Sequence, residues 1–182
     1  MSRAFCKDIM EWGEFPEYDL LYTDPPWGER MVKFFETQQR KDTGEAPNNG
    51  LNLILNKLFT LAATNKPLIV EYGIQGSEII PRMAQEASHR LFKSIKGIQS
   101  NGRPFMVFVF NADISFDPLS KGFDYPYQAV MQTGAKTVFD PFAGIGATAK
   151  AVHLAGAEYI GSEINAKRFA RLESVVKLHN GN

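Results

Sequence analysis

The chain has 182 residues, 44% of them hydrophobic and 22% charged, with 20 basic side chains against 20 acidic ones. That length builds one domain, residues 1–182, with a core of its own, and a net charge of zero excludes a protein that coats polyanions by charge alone, while local basic patches remain open. One cysteine, Cys6, and three scattered histidines (His89, His153, His179) exclude a disulfide framework and offer no metal-ligand spacing, so no metal is expected.

The chain opens without the apolar run of a signal peptide, and no later stretch is long enough to span a bilayer. A soluble, cytoplasmic protein is expected. Residues 4–6 read as a short strand, followed by Asp8 and a short helix over 9–15. Residues 18–23 are a second strand, ended by Pro25-Pro26. A helix is expected over 31–39 and an exposed Gly/Pro/Asn-rich loop over 44–50. A long segment directly after a strand end is often a lid or a substrate-contacting arm. Apolar residues at 51, 54, 55 and 58 make a helix over 51–63 that is buried on one side. Residues 68–72 are an apolar strand, and Ser77-Glu78 starts a helix to about 92 with Pro81 in its first turn.

Residues 87–112 hold no acid but carry Arg90, Lys93, Lys96 and Arg103. Strands at 94–99 and 105–110 flank Asn101-Gly102, a hairpin signal. Residues 111–125 are irregular, 126–133 helical and 137–139 a strand that runs into a glycine turn. A helix over 147–155 ends at Gly156, a strand over 159–163 ends in an acid, and Asn165 caps a helix over 166–178. Alternating strands and helices imply an α/β fold, a doubly wound, mostly parallel, seven-stranded sheet with one antiparallel hairpin. In such sheets the site lies at the carboxyl ends of the strands. Asp8, Asp24, Asp140 and Glu163 all sit just past strand ends, so four distant acids converge on one rim.

Two strand-end loops carry chemistry. Asp24-Pro25-Pro26-Trp27 places a carboxylate, a carbonyl and a flat aromatic in a rigid relation, which suits a planar ring bearing an amine. Asp140-Pro141-Phe142-Ala143-Gly144-Ile145-Gly146 is a strand, a glycine turn and a helix start. The glycines let a ligand approach the backbone, and Glu163 at the next strand end suits a ribose diol. A nicotinamide dinucleotide is one candidate. The acid that opens the loop would repel a pyrophosphate and favour a cationic sulfonium nearby, which points to S-adenosylmethionine.

Together the two loops resemble those of the amino-group DNA methyltransferases. Catalytic motif first and cofactor motif last is similar to their circularly permuted β group, with a Rossmann-like methyltransferase fold. The resemblance implies Asp24, Pro25, Pro26 and Trp27 as catalytic residues. It implies Asp140, Pro141, Phe142, Ala143, Gly144, Gly146, Glu163 and Asn165 around S-adenosylmethionine, with Asp8 on its adenine amine. Phe123-Asp124-Tyr125-Pro126 is similar to the segment that closes over the methionine end. Asp at the head of the catalytic motif and Trp at its end resemble the adenine N6 enzymes. DNA is the expected substrate, with RNA, or a noncatalytic cofactor- or nucleic-acid-binding role in a larger complex, as alternatives. The family's separate target-recognition region has no counterpart, since residues 111–125 are too short. Nucleic-acid contacts are then expected from Arg30, Lys33, Arg40, Lys41, Arg90, Lys93, Lys96 and Arg103, with a homodimer or a separate recognition subunit completing them.

Overall fold

The computed structural model describes residues 1–45 and 48–181; Ala46 and Pro47, within the expected 44–50 loop, lie outside the described residues. The strands are β1 (Arg3–Phe5), β2 (Leu20–Thr23), β3 (Leu68–Gly73), β4 (Leu91–Ile98), β5 (Pro104–Phe110), β6 (Thr137–Asp140) and β7 (Glu158–Ser162). The helices are α1 (Glu29–Thr43), α2 (Leu51–Leu61), α3 (Ile79–Glu86), α4 (Asp124–Thr133), α5 (Ala147–Leu154) and α6 (Ala166–Asn180). The strands form one sheet in the order β1-β7-β6-β2-β3-β5-β4. The expected hairpin β4–β5 is present, and β5, the reversed strand, also pairs antiparallel with β3.

Side-chain alternation along the strands sorts the core into two layers. Leu21, Val70, Phe108 and Phe139 face α2 and α3, whereas Leu20, Tyr22, Val107 and Val138 face α4, α5 and α6. The central strand β2 is buried on both faces, as its unbroken apolar run implies. Each such fully buried large apolar side chain contributes about 1.5–3 kcal/mol. Counted from β6, the first five positions read 3-2-1-4-5, the order of doubly wound nucleotide-binding sheets. The strand order reverses between β6 and β2, where such sheets open a crevice.

Most boundaries lie within two residues of expectation, while three helices differ by more and the edge strand starts three residues early. The helix after Asp8 is a single 3₁₀ turn, Ile9–Glu11, because Trp12 turns back to extended backbone. The helix after the double proline is longer than residues 31–39, running from Gly28 to a left-handed Gly44. The helix expected to reach residue 92 stops at Glu86, since Ser88 has φ +68° and His89 is buried, donating from Nε2 to the Phe59 carbonyl at 2.9 Å. Leu91 and Phe92 instead begin the edge strand, where both are exposed.

Candidate active site

A cavity of about 800 Å³ opens at the carboxyl ends of β1, β2, β6 and β7, within the range of small-molecule sites. Asp8, Asp24, Pro25, Pro26, Trp27, Pro141, Phe142, Ala143, Gly144, Glu163 and Asn165 all line it. Asp140 does not. Its carboxylate is buried beneath the loop, with Oδ1 accepting from Thr23 Oγ1 at 2.8 Å and from the Phe142 N–H at 3.0 Å. Oδ2 accepts from the Tyr159 hydroxyl at 3.2 Å. The residue expected among the cofactor ligands is therefore a loop anchor, and its hydrogen bond to Thr23 ties the two loops together. Burial pushes Asp140 up to about 6, against the pull of these hydrogen bonds. Gly146, also expected at the cofactor, has φ +93° and lets the start of α5 pack on Leu172 and Val175 of α6.

Asp24 is exposed and lines the cavity. Desolvation by the surrounding protein pushes it up to about 7; the Trp27 indole N–H donated to Oδ1 pulls the other way, and the charge of Asp140 pushes with it. Trp27 owes its pose to two neighbours. Its ring lies parallel to Phe105 (centroids 6.3 Å apart, 13° between planes), and a Cβ at Gly73 would come within 3.0 Å of it. Behind Asp24 lies Glu71 of β3, pushed up to about 8 by burial and then by the Asp24 charge, with Tyr22 donating its hydroxyl to it. The sequence signal for Glu71 was an acid inside an otherwise apolar strand.

Across the cavity, Glu163 accepts the Asn165 N–H on Oε1 at 2.9 Å and faces Arg168 Nε from Oε2 at 3.7 Å. Burial raises its pKa despite Arg168. Asn165 caps α6 through the Arg168 N–H at 3.0 Å and donates its amide to Asp42 at 2.9 Å and Gln39 at 3.2 Å. Lys167 also meets Asp42. These contacts strap α1 over the cavity. Asp8 caps the 3₁₀ turn with Oδ1 and receives Asn49 Nδ2 on Oδ2 at 3.3 Å; burial raises its pKa.

The eight basic residues do not form one surface. Arg30, Lys33, Arg40 and Lys41 are exposed along α1. Lys93 and Lys96 alternate to opposite faces of β4, and Lys93 is paired with Asp113 at 2.8 Å. Arg90 lies over Phe92, 4.7 Å from its centroid. Of the four basic residues in the second segment, Arg103 alone lines the cavity.

The same architecture is found in solved structures. M1.HpyAVI in complex with S-adenosylmethionine aligns with TM-score 0.67 at 15% identity, covering 96% of this chain and 99% of that one. TTHA0409 from Thermus thermophilus, assigned as a DNA modification methylase and complexed with S-adenosyl-L-methionine, gives 0.67 at 13% identity over 98% and 94% of the two chains. The fold is that of the DNA methylases. A model of the DNA methylase family also matches residues 131–174 of this methylase fold, the span that holds β6, the glycine turn, α5 and β7. The resemblance carried by the two motifs thus holds for the fold and for this segment. The cytosine-N4-specific PvuII DNA methyltransferase shares the architecture too, with TM-score 0.58 at 13% identity over 98% of this chain and 91% of that one. A comparison with curated proteins returned no match. Among the described residues, no helix is long and apolar enough to cross a membrane, and no group of three or more His, Cys, Asp or Glu could hold a metal.

Proposed function

We propose that this chain transfers a methyl group from S-adenosylmethionine to the exocyclic N6 amine of adenine in DNA. We further propose that residues 1–182 act as one catalytic domain of the permuted β group. The reading is carried by one observation. The acceptor-type loop 24–27 and the glycine turn 141–146 meet on a single cavity, tied by the Thr23–Asp140 hydrogen bond. The chemistry of the lining fits the cofactor. Glu163 lines the cavity, and its Oε2 meets Arg168 at a long 3.7 Å, which leaves it able to accept from a ribose diol. Asp8 offers Oδ2 to an adenine amine, and Pro141, Phe142 and Ala143 supply an apolar wall.

An aryl amine is a poor nucleophile because its lone pair is shared with the ring. Asp24 keeps Oδ2 for the amine, since Oδ1 holds Trp27, and the Pro25 carbonyl is a second acceptor. Two acceptors on the N–H groups favour a pyramidal nitrogen and localise the lone pair. Trp27, braced by Phe105 and Gly73, offers an aromatic wall for a base taken out of its stack. Bound in this cavity, S-adenosylmethionine supplies an electrophilic methyl group, whose carbon–sulfur bond breaks as the nitrogen–carbon bond forms, leaving a neutral thioether. Holding both reactants in line is the main contribution of the protein. The methylated nitrogen sheds a proton, and Asp24, poised near neutrality, is the group placed to take it.

An adenine target is favoured by the Asp24-to-Trp27 motif, and the shared fold of a cytosine-N4 enzyme makes the product worth measuring directly. The purified chain is incubated with labelled S-adenosylmethionine and DNA or RNA, and the nucleosides are analysed by mass spectrometry. N6-methyladenine from DNA is expected. N4-methylcytosine would overturn the choice of base, label only in RNA the choice of nucleic acid, and no transfer to either the whole reading.

A further inference from the structure

The cavity mouth has two rims. One is α1. Viewed down the helix axis, Arg30, Lys33, Arg40 and Lys41 fall within about a third of the circumference, opposite the buried Val32. Phe35, Gln38, Gln39 and Asp42 face the cavity instead. Phe34 sits on the seam between these faces, lining the cavity yet 51% exposed. An exposed aromatic beside a basic stripe is the pairing that holds a nucleic-acid strand, by stacking and by phosphate contact.

The other rim is the tip of the β4–β5 hairpin, where Gln99 and Arg103 line the same cavity. The tip is closed by the Gln99 N–H donating to the Arg103 carbonyl at 2.8 Å and by the Arg103 N–H donating to Asn101 Oδ1 at 3.0 Å. It is braced from below, where the Gly122 N–H donates to the Ile98 carbonyl at 2.8 Å. Among the described residues, no carboxylate pairs with Arg103, and neither its guanidinium nor the Gln99 side-chain amide has a protein hydrogen-bond partner. Unpaired donors carried on a hydrogen-bonded hairpin tip at a cavity mouth suit a base edge. Arg matches guanine O6 and N7, and Gln matches adenine N6 and N7.

We infer that the hairpin tip supplies sequence reading: Gln99 and Arg103 read a purine beside the target base, while Phe34 stacks on the strand from the opposite rim. The inference rests on the methyl-transfer reading above. The test uses the full chain, S-adenosylmethionine and a DNA library in which adenines stand in random contexts, with methylated positions read by sequencing. The wild type is expected to prefer a purine at one adjoining position. Arg103→Ala should flatten that preference about 5- to 150-fold. Arg103→Lys keeps the charge but lacks the fork and should flatten it as far, with the salt dependence of binding retained. Phe34→Ala should slow all contexts alike.

A uniform slowing by Arg103→Ala with a salt slope lower by about one would assign Arg103 to a phosphate and overturn base reading. A flank preference that is absent in the wild type, or unchanged in both Arg103 variants, would overturn it as well. In each of those cases the methyl-transfer reading stands. A wild type that methylates no context overturns both.

Discussion

Asp24-Pro25 and Asp140-Pro141 stand at the carboxyl ends of neighbouring parallel strands, β2 and β6, and begin loops of opposite character. Asp140 is enclosed by donors from β2, from β7 and from its own loop, so both of its oxygens are occupied. Asp24 has one protein donor, Trp27, and turns toward the cavity. The same dipeptide is thus enclosed where side chains from neighbouring strands satisfy it and left open to the cavity, as the proposed methyl transfer requires, where they do not. Between these two aspartates the difference lies in the number of protein donors and not in residue type.

The contrast can be broken from either side. The largest expected effect is Asp24→Asn, which exchanges an acceptor for an amide and should cut methyl transfer by on the order of 10²-fold or more, measured in single turnover. Its melting temperature at pH 8 should not fall, because the charge removed is a partly desolvated one. Asp140→Ala should act the other way round, on stability. It leaves the Thr23 hydroxyl, the Tyr159 hydroxyl and the Phe142 N–H without their acceptor, at a cost of roughly 3 kcal/mol or more in urea unfolding. Gly73→Ala sharpens the picture of Trp27. A methyl group 3.0 Å from the indole must displace it, and about a tenfold loss of transfer with normal cofactor binding is expected.

The smallest effect is on pH dependence. Asp140, Asp24 and Glu71 are raised to about 6, 7 and 8 in the folded chain. Each binds its proton more tightly folded than unfolded, so the stability it contributes is present below about pH 4 and lost as pH rises through its folded value. Melting temperature should therefore decline from about pH 5 to about pH 8.5, and Glu71→Gln should shallow the decline. Transfer should rise over part of the same window, as Asp24 loses its proton near 7 and becomes a full acceptor. A flat activity profile between about pH 6 and pH 8 would place the ionisation elsewhere.

Much of this was legible in the sequence because the signals are local. Two prolines after an apolar strand, and a glycine pair after another, specify a strand end whatever surrounds them. Alternation of strands and helices was enough to place both ends on one rim. What stayed hidden depends on distant partners. The anchoring of Asp140 by Thr23 joins residues 117 positions apart. The end of α3 is set by a left-handed Ser88 and by His89 reaching Phe59, which helical periodicity does not register. Arg90, Lys93, Lys96 and Arg103 were expected to contact nucleic acid together because sequence does not show which face of an edge strand each residue takes; β4 sends Lys93 and Lys96 to opposite sides. The strap from α1 to Asn165 lies 123 residues from its partner Asp42 and was equally invisible.

The division of labour between the two loops is tested most directly by titrating S-adenosylmethionine calorimetrically into Asp24→Asn. If the glycine turn, Glu163 and Asp8 hold the cofactor while Asp24 serves the amine, the variant binds it with wild-type affinity to within about twofold. Loss of cofactor binding in a variant that keeps its folded melting transition would contradict that division and place Asp24 on the donor side of the reaction.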